Sequence, residues 1–212
     1  GKLTSDIVMK ALIEQSKNIT TEFDKMGVNF KEISLPHVKY SIPVYYIISP
    51  AECSANLERF DGVRYGYRCD DPKDLEDLYK RSRSEGFGEE VKRRIMLGTF
   101  VLSAGYYDAY YGKAMKVRRL IQDKTNEILS QYDFILTPTT PDVAFKFGDN
   151  SDDPTKMYLE DIFTVQANLA GVPAISVPLA KNSEGLPFGI QLMGKSFEER
   201  ALMAFSKHLM EK

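Results

Sequence analysis

The sequence predicts an α/β fold, and three observations predict it. Amphipathic helical stretches alternate with short apolar runs that read as strands. Those runs end at Pro, Gly or Asn, as strands between helices do. Between Pro36 and Gln131 the pattern is almost wholly helical, which points to a helical layer rather than simple strand–helix repetition. Together they imply a three-layer arrangement in which helices cover a sheet.

Taken in order, Thr4 or Ser5 can cap a helix that runs to Met26, with Val8, Leu12, Ile19, Phe23 and Met26 on one face and Gly27 at its end. Val28 to Leu35 alternates, with Val28 and Phe30, then Ile33 and Leu35, and is expected to be a strand. Val44 to Leu57 is apolar and rich in small residues, and contains a buried helix. Asp61-Gly62 and Tyr65-Gly66-Tyr67 are turn signals. Pro72-Lys73-Asp74 opens a charged helix through Glu85, and Gly86-Phe87-Gly88 breaks it. Glu89–Ser103 and Tyr106–Gln131 read as helices, the second with Val117, Leu120, Ile121, Ile128 and Leu129 as its apolar stripe. Phe134-Ile135-Leu136-Thr137, stopped by Pro138, suits a buried parallel strand. Val143 to Thr155 is a loop, and Met157–Ala170 a helix that Gly171 terminates. Ala174–Leu179 and Phe188–Met193 are two strands around a Gly/Ser/Asn turn. Glu198–Met210 closes the chain as a helix with Leu202, Phe205 and Leu209 on one side.

Composition excludes several function classes. A net charge of −2 and a pI near 5.8 argue against binding nucleic acid by charge alone. The two cysteines, Cys53 and Cys69, make no metal-ligand cluster and read as free thiols of a reducing compartment. No apolar run approaches the roughly 20 residues that cross a bilayer, and no signal-peptide pattern opens the chain. Its first residue is Gly1 rather than Met, which hints at a start other than the natural one. The two histidines, His37 and His208, have no Gly-x-Ser-x-Gly elbow to serve, so a histidine triad is not expected. Neither a phosphate loop nor a dinucleotide fingerprint is present. Asp70-Asp71 and Asp152-Asp153 read as solvated turn residues.

Longer stretches carry more. Leu35-Pro36-His37-Val38-Lys39-Tyr40-Ser41-Ile42-Pro43-Val44-Tyr45-Tyr46-Ile47-Ile48, its continuation Ser49 to Leu57, and Arg59-Phe60-Asp61-Gly62-Val63-Arg64-Tyr65-Gly66 closely resemble the amidase-signature family, and within it the A subunits of glutamyl-tRNA(Gln) amidotransferases. Gly86 to Thr99 and Ser103 to Tyr111 resemble the same subunits. Asn168-Leu169-Ala170-Gly171-Val172-Pro173-Ala174-Ile175-Ser176-Val177-Pro178 is similar to amidase-signature enzymes at large. The resemblance covers nearly the whole chain and is weakest in the first 30 or so residues.

What the resemblance implies is the C-terminal half of the amidase-signature fold, a mixed β-sheet covered by helices, with residues 1–212 forming the C-terminal part of a single amidase domain. In that family a catalytic lysine, a bridging serine and a nucleophilic serine lie in a Gly/Ser-rich stretch upstream of the part matched here. No such run occurs in this sequence, so no catalytic residue is assigned, and residues 1–212 alone are expected to be inactive. The resemblance also implies a glutamine grip at Tyr45, Arg94 and Asp161. A guanidinium can fork onto the α-carboxylate and a carboxylate can accept from the ammonium. Each has a plainer reading. Arg94 follows Lys92 and Arg93 on what could be a solvated face, Asp161 could serve a helix N-terminus, and Tyr45 could be a core aromatic beside Tyr46.

For the whole complex the resemblance implies ATP and Mg, held by a companion B subunit rather than by this chain. The partners it implies are glutamine, the B and C subunits, and charged tRNA(Gln) reached through the complex, in the cytoplasm and with no membrane. A stand-alone amidase for another small amide, or a non-catalytic interaction domain, are the alternatives.

Overall fold

A computed structural model describes residues 27–141, 143–147, 158–181 and 184–211. They fall into two compact units: a sheet unit, Gly1–Ile42 with Arg118–Lys212, and a helical unit, Pro43–Val117. The expected helix before Met26 lies outside the described residues.

The helical unit is built on α1 (Ser41–Leu57), α2 (Leu75–Gly86) and α3 (Glu89–Leu102), followed by a π-helical stretch, Tyr107–Gly112. In α1, Val44, Ile48 and Ala51 are buried at helical spacing. Pro50 inside α1 cannot donate to the carbonyl one turn back. Gly98 of α3 meets α1 at that residue so closely that a Cβ there would overlap the Pro50 carbonyl oxygen. Beside this crossing, the Ser54 and Thr99 hydroxyls are 2.9 Å apart. Asp74 caps α2 by accepting from the Asp77 amide at 2.8 Å, and the helix starts where the Pro-Lys-Asp opening places it.

The loop between α1 and α2 is fastened by polar contacts. Asp61 accepts from the amides of Val63 and Arg64 and from Arg64 Nε. Those backbone amides, with the Arg64 side chain, hold its carboxyl well below the usual carboxylate range. Gly62 has φ +76°, and a Cβ on it would meet Ser82 Oγ at 2.5 Å. Ser82 Oγ accepts from the Cys69 amide, and Arg83 donates to the carbonyls of Leu57 and Phe60.

The sheet unit contains α4 (Lys113–Gln131) from Arg118 onward, β1 (Ile135–Pro138), α5 (Val165–Ala170), β2 (Ala174–Lys181), β3 (Pro187–Met193) and α6 (Glu199–Met210). The strand order is β1-β3-β2, with Ile135 opposite Met193 and Ile175 opposite Leu192. Side chains alternate between two faces. Ile135 and Met193 join Ile128, Leu129, Ala167, Ala170 and Val172 in one cluster. Val177, Ile190 and Leu192 join Leu202 in the other, where Phe134 stacks on Phe205 at 4.9 Å. This unit is therefore layered as helix, sheet, helix.

The α/β class is borne out, with three local corrections. Val28–Leu35 forms no strand; Val28, Ile33 and Leu35 use their alternation to anchor an irregular segment on the two clusters. The run at Phe134 gives a strand, but β1 is antiparallel to β3, and both pairings among the described residues are antiparallel. The helix expected from Met157 is interrupted: residues 158–160 are helical, 161–164 form a turn, and α5 starts at Val165.

Candidate functional site

Two of the three expected binding residues are brought together in the helical unit. Tyr45 lies in the first turns of α1, and Arg94 lies one turn before Gly98 in α3. The close α1–α3 crossing that Gly98 permits is what puts these stretches side by side. The Arg94 guanidinium carbon sits 5.8 Å from the centre of the Tyr46 ring, and Tyr46 meets the Tyr45 ring edge to face at 5.3 Å. Arg94 is not on a fully solvated face: its side chain is 30% exposed, against 67% for Arg93.

An arginine guanidinium is charged at any ordinary pH, and the groups around this one favour that charge. Burial opposes the charge, but the Glu90 carboxylate and the Tyr45 and Tyr46 hydroxyls outweigh it, so Arg94 is held above its ordinary value. Glu90 Oε1 accepts from Arg94 Nε at 3.0 Å, and its other oxygen accepts from Arg93 Nη1 at 2.8 Å. Among the described residues, neither Nη nitrogen of Arg94 has a hydrogen-bond partner. A fork of the kind that takes a carboxylate in two parallel bonds is thus presented.

Asp161 belongs to the sheet unit and is half-buried. It opens the turn that leads into α5, three residues before the cap residue Thr164. Its backbone carbonyl accepts from the amides of Thr164 and Val165 and from the Thr164 hydroxyl, so the turn is stiff. From β3, the buried Gln191 donates to the Phe163 carbonyl at 3.0 Å and to Thr137 Oγ1 at 3.1 Å, fixing this turn to the sheet. Behind it, Arg118 and Gln122 of α4 donate to the carbonyls of Leu169 and Ala170, and Gly171, at φ +73°, turns the chain toward β2. These bonds explain the Asn-Leu-Ala-Gly-Val-Pro run as a helix stop that feeds a strand.

Tyr46, Glu90 and Gln191 were not singled out from the sequence. Glu90 had a legible signal, a carboxylate one helical turn before Arg94. Gln191 stands out as the polar residue in Ile-Gln-Leu-Met. Among the described residues no group of three or more His, Cys, Asp or Glu could hold a metal ion, and no helix is long and apolar enough to cross a membrane.

A family model described as Amidase matches residues 3–203. The chain is 59% identical over 196 residues to the A subunit of glutamyl-tRNA(Gln) amidotransferase from Hahella chejuensis (strain KCTC 2396), spanning 92% of this chain and 40% of that protein. The same subunit from Coxiella burnetii (strain Dugway 5J108-111) is 56% identical over 193 residues, 91% of this chain and 40% of that protein. Among solved structures, the A subunit of glutamyl-tRNA(Gln) amidotransferase from Thermotoga maritima aligns with a TM-score of 0.60 at 45% identity, over 95% of this chain and 37% of that one. A crystal structure of an amidase aligns with a TM-score of 0.66 at 21% identity, over 95% of this chain and 42% of that one, a likeness of fold alone. The chain spans about two fifths of the length of the curated relatives it matches.

Proposed function

We propose a function from one premise, that this chain belongs to the amidase family: it supplies the glutamine grip of a glutamyl-tRNA(Gln) amidotransferase A subunit. The observation that carries the reading is the 59% identity, over 92% of the chain, to a relative of that name. The chemistry of the residues supports it. Arg94 presents its fork to the α-carboxylate, Asp161 accepts from the α-ammonium, and Tyr45 adds a hydroxyl and a flat face. So held, the side-chain amide is positioned for attack by a serine of the Gly/Ser-rich stretch that the family resemblance implies. The carbonyl carbon bonds to the serine oxygen, the serine proton passes to the amide nitrogen, the C–N bond breaks and ammonia leaves; water then adds to the acyl carbon, releasing glutamate and restoring the serine hydroxyl. The ammonia amidates glutamate carried on tRNA(Gln), giving Gln-tRNA(Gln).

In this reading a B subunit uses ATP and Mg to activate the tRNA-bound glutamate, and a small C subunit braces the pair. The protein works in the cytoplasm, where charged tRNA is found.

The test uses the complete subunit with its companions. Arg94→Ala and Asp161→Ala should each lower kcat/KM for glutamine by about 10- to 100-fold, the range for losing one charge-assisted bond to a substrate. Tyr45→Phe should cost less, about tenfold or under. Unchanged glutamine kinetics in both alanine variants would sink the reading. Equal turnover of glutamine and simple aliphatic amides would favour a stand-alone amidase.

A further inference from the structure

We propose that Glu90 and Tyr46 are positioning residues that aim Arg94, and so set preference for an amide substrate carrying an α-carboxylate. The inference rests on the glutamine-grip reading and deepens it.

A long arginine side chain must be ordered before it can fork onto a carboxylate, and that ordering costs affinity unless it is already done. Here it is done from two directions. Glu90 Oε1 takes Nε, which leaves the two Nη nitrogens as the donors on offer. Tyr46 lies 5.8 Å from the guanidinium carbon, within cation–π range, and limits where the group can lie. Each clamp has a further contact of its own. The second oxygen of Glu90 is held by Arg93 at 2.8 Å, and Tyr46 is braced edge to face by Tyr45 at 5.3 Å. Tyr46 therefore touches both expected ligands of the helical unit. All four side chains project from α1 and α3, whose crossing is fixed by the contact of Gly98 with Pro50.

The other role open to Glu90 makes the opposite prediction. If it merely offset the charge of Arg94, removing it would strengthen attraction for an anion and lower KM. If it aims the fork, removing it raises KM.

The experiment measures glutamine KM and kcat in the complete protein, together with the inhibition constant of 4-aminobutanamide, which is glutamine without its carboxylate. Glu90→Ala and Tyr46→Leu should raise glutamine KM about tenfold with kcat within about twofold, and should leave the 4-aminobutanamide constant unchanged. Glu90→Gln, which keeps an acceptor, and Tyr46→Phe, which keeps the ring, should restore most of the affinity. A KM that falls or stays put in both disruptive variants overturns the proposal. So does a parallel weakening of glutamine and 4-aminobutanamide, which would mean general damage to the pocket. Arg94→Ala separates this outcome from failure of the grip itself. If it too fails to discriminate the two ligands, the reading of Arg94 is wrong; if it discriminates and the Glu90 and Tyr46 variants do not, only their positioning role is lost. Should Tyr46→Leu not fold, the Glu90 pair decides alone.

Discussion

The sheet unit and the helical unit are held together by different means. In the sheet unit, strand alternation sorts apolar side chains into two clusters, and Met193 is wholly buried where β1, β2 and β3 meet. In the helical unit the fastenings are a glycine contact, an aspartate that gathers loop amides, and arginine and serine side chains that take loop carbonyls and amides. Both units bury apolar side chains, but the two connected clusters found among the described residues lie in the sheet unit, while the helical unit leans more on close approach and polar fastening. The Asp161 turn is accordingly fixed by a buried glutamine, and the Arg94 fork by a half-exposed carboxylate and a ring.

If burial is what holds the sheet unit, Met193→Ala should damage stability more than any single change at the helical crossing. It removes a side chain that is 0% exposed, and such truncations cost about 2–5 kcal/mol. Urea unfolding with an unchanged m-value would show it as a lower midpoint. A loss under about 1 kcal/mol would mean that this cluster relaxes around a void, and the contrast between the units would weaken.

The helical unit should instead break at its glycine contact. A methyl on Gly98 would overlap the Pro50 carbonyl oxygen, a backbone atom that cannot swing aside, so α1 and α3 must separate. Gly98→Ala should cost about 1–3 kcal/mol, the range for overpacking. Because Arg94 lies one turn away, the grip proposed above predicts that the glutamine KM of the complete subunit rises as well. Gly88, the cap residue of α3, has nothing within 4 Å of a Cβ, so Gly88→Ala meets no overlap and should cost only the poorer cap, about 0.5–1 kcal/mol, with no change in the crossing. Equal effects at the two glycines would remove the close crossing as the organising feature of this unit.

The same contrast accounts for what could be read in the sequence. Local signals were legible wherever local chemistry decides. Asp74 caps α2, Gly171 stops α5 in the left-handed region, and the strands around Gly185 form an antiparallel pair. Signals failed where a distant partner decides. The Phe134 run looks the same in a parallel or an antiparallel sheet, and only its pairing with residues 190–193 settles the direction. Leu159, Ile162 and Phe163 continue a helical pattern, yet Gln191 takes the Phe163 carbonyl and the chain turns there. Val28 to Leu35 has the period of a strand but no ladder. For the site, residue chemistry alone left Arg94 as one of three consecutive cations and Tyr45 as one of two tyrosines. The family resemblance chose among them, and the geometry supplied Glu90 and Tyr46 as their supports.

The smallest expected effect tests whether polar fastening is felt at the surface of α2. Glu85 accepts from the Tyr67 hydroxyl at 2.8 Å and from Arg81 Nε at 2.9 Å. The Tyr67 bond first, then Arg81, hold the Glu85 carboxyl below its ordinary value, and the same bond holds the Tyr67 hydroxyl above its own. A depressed carboxyl stabilises the fold above its unfolded value, near 4.3 for glutamate, and loses that contribution as pH falls through the folded value. A raised phenol acts in the other direction, stabilising below about 10 and losing its contribution as pH rises through the folded value. Tyr67→Phe should therefore move Glu85 up toward the ordinary carboxylate value in a carbon-13 NMR titration. The stability difference between the two proteins should be present near neutrality and close at both extremes of pH. An unmoved Glu85 would assign the depression to Arg81 alone and leave Tyr67 as packing against Gly86, where a Cβ would meet the Tyr67 side chain at 3.0 Å. The loop before α2 would then be held by its backbone contacts to Ser82 and Arg83, without help from its tyrosine.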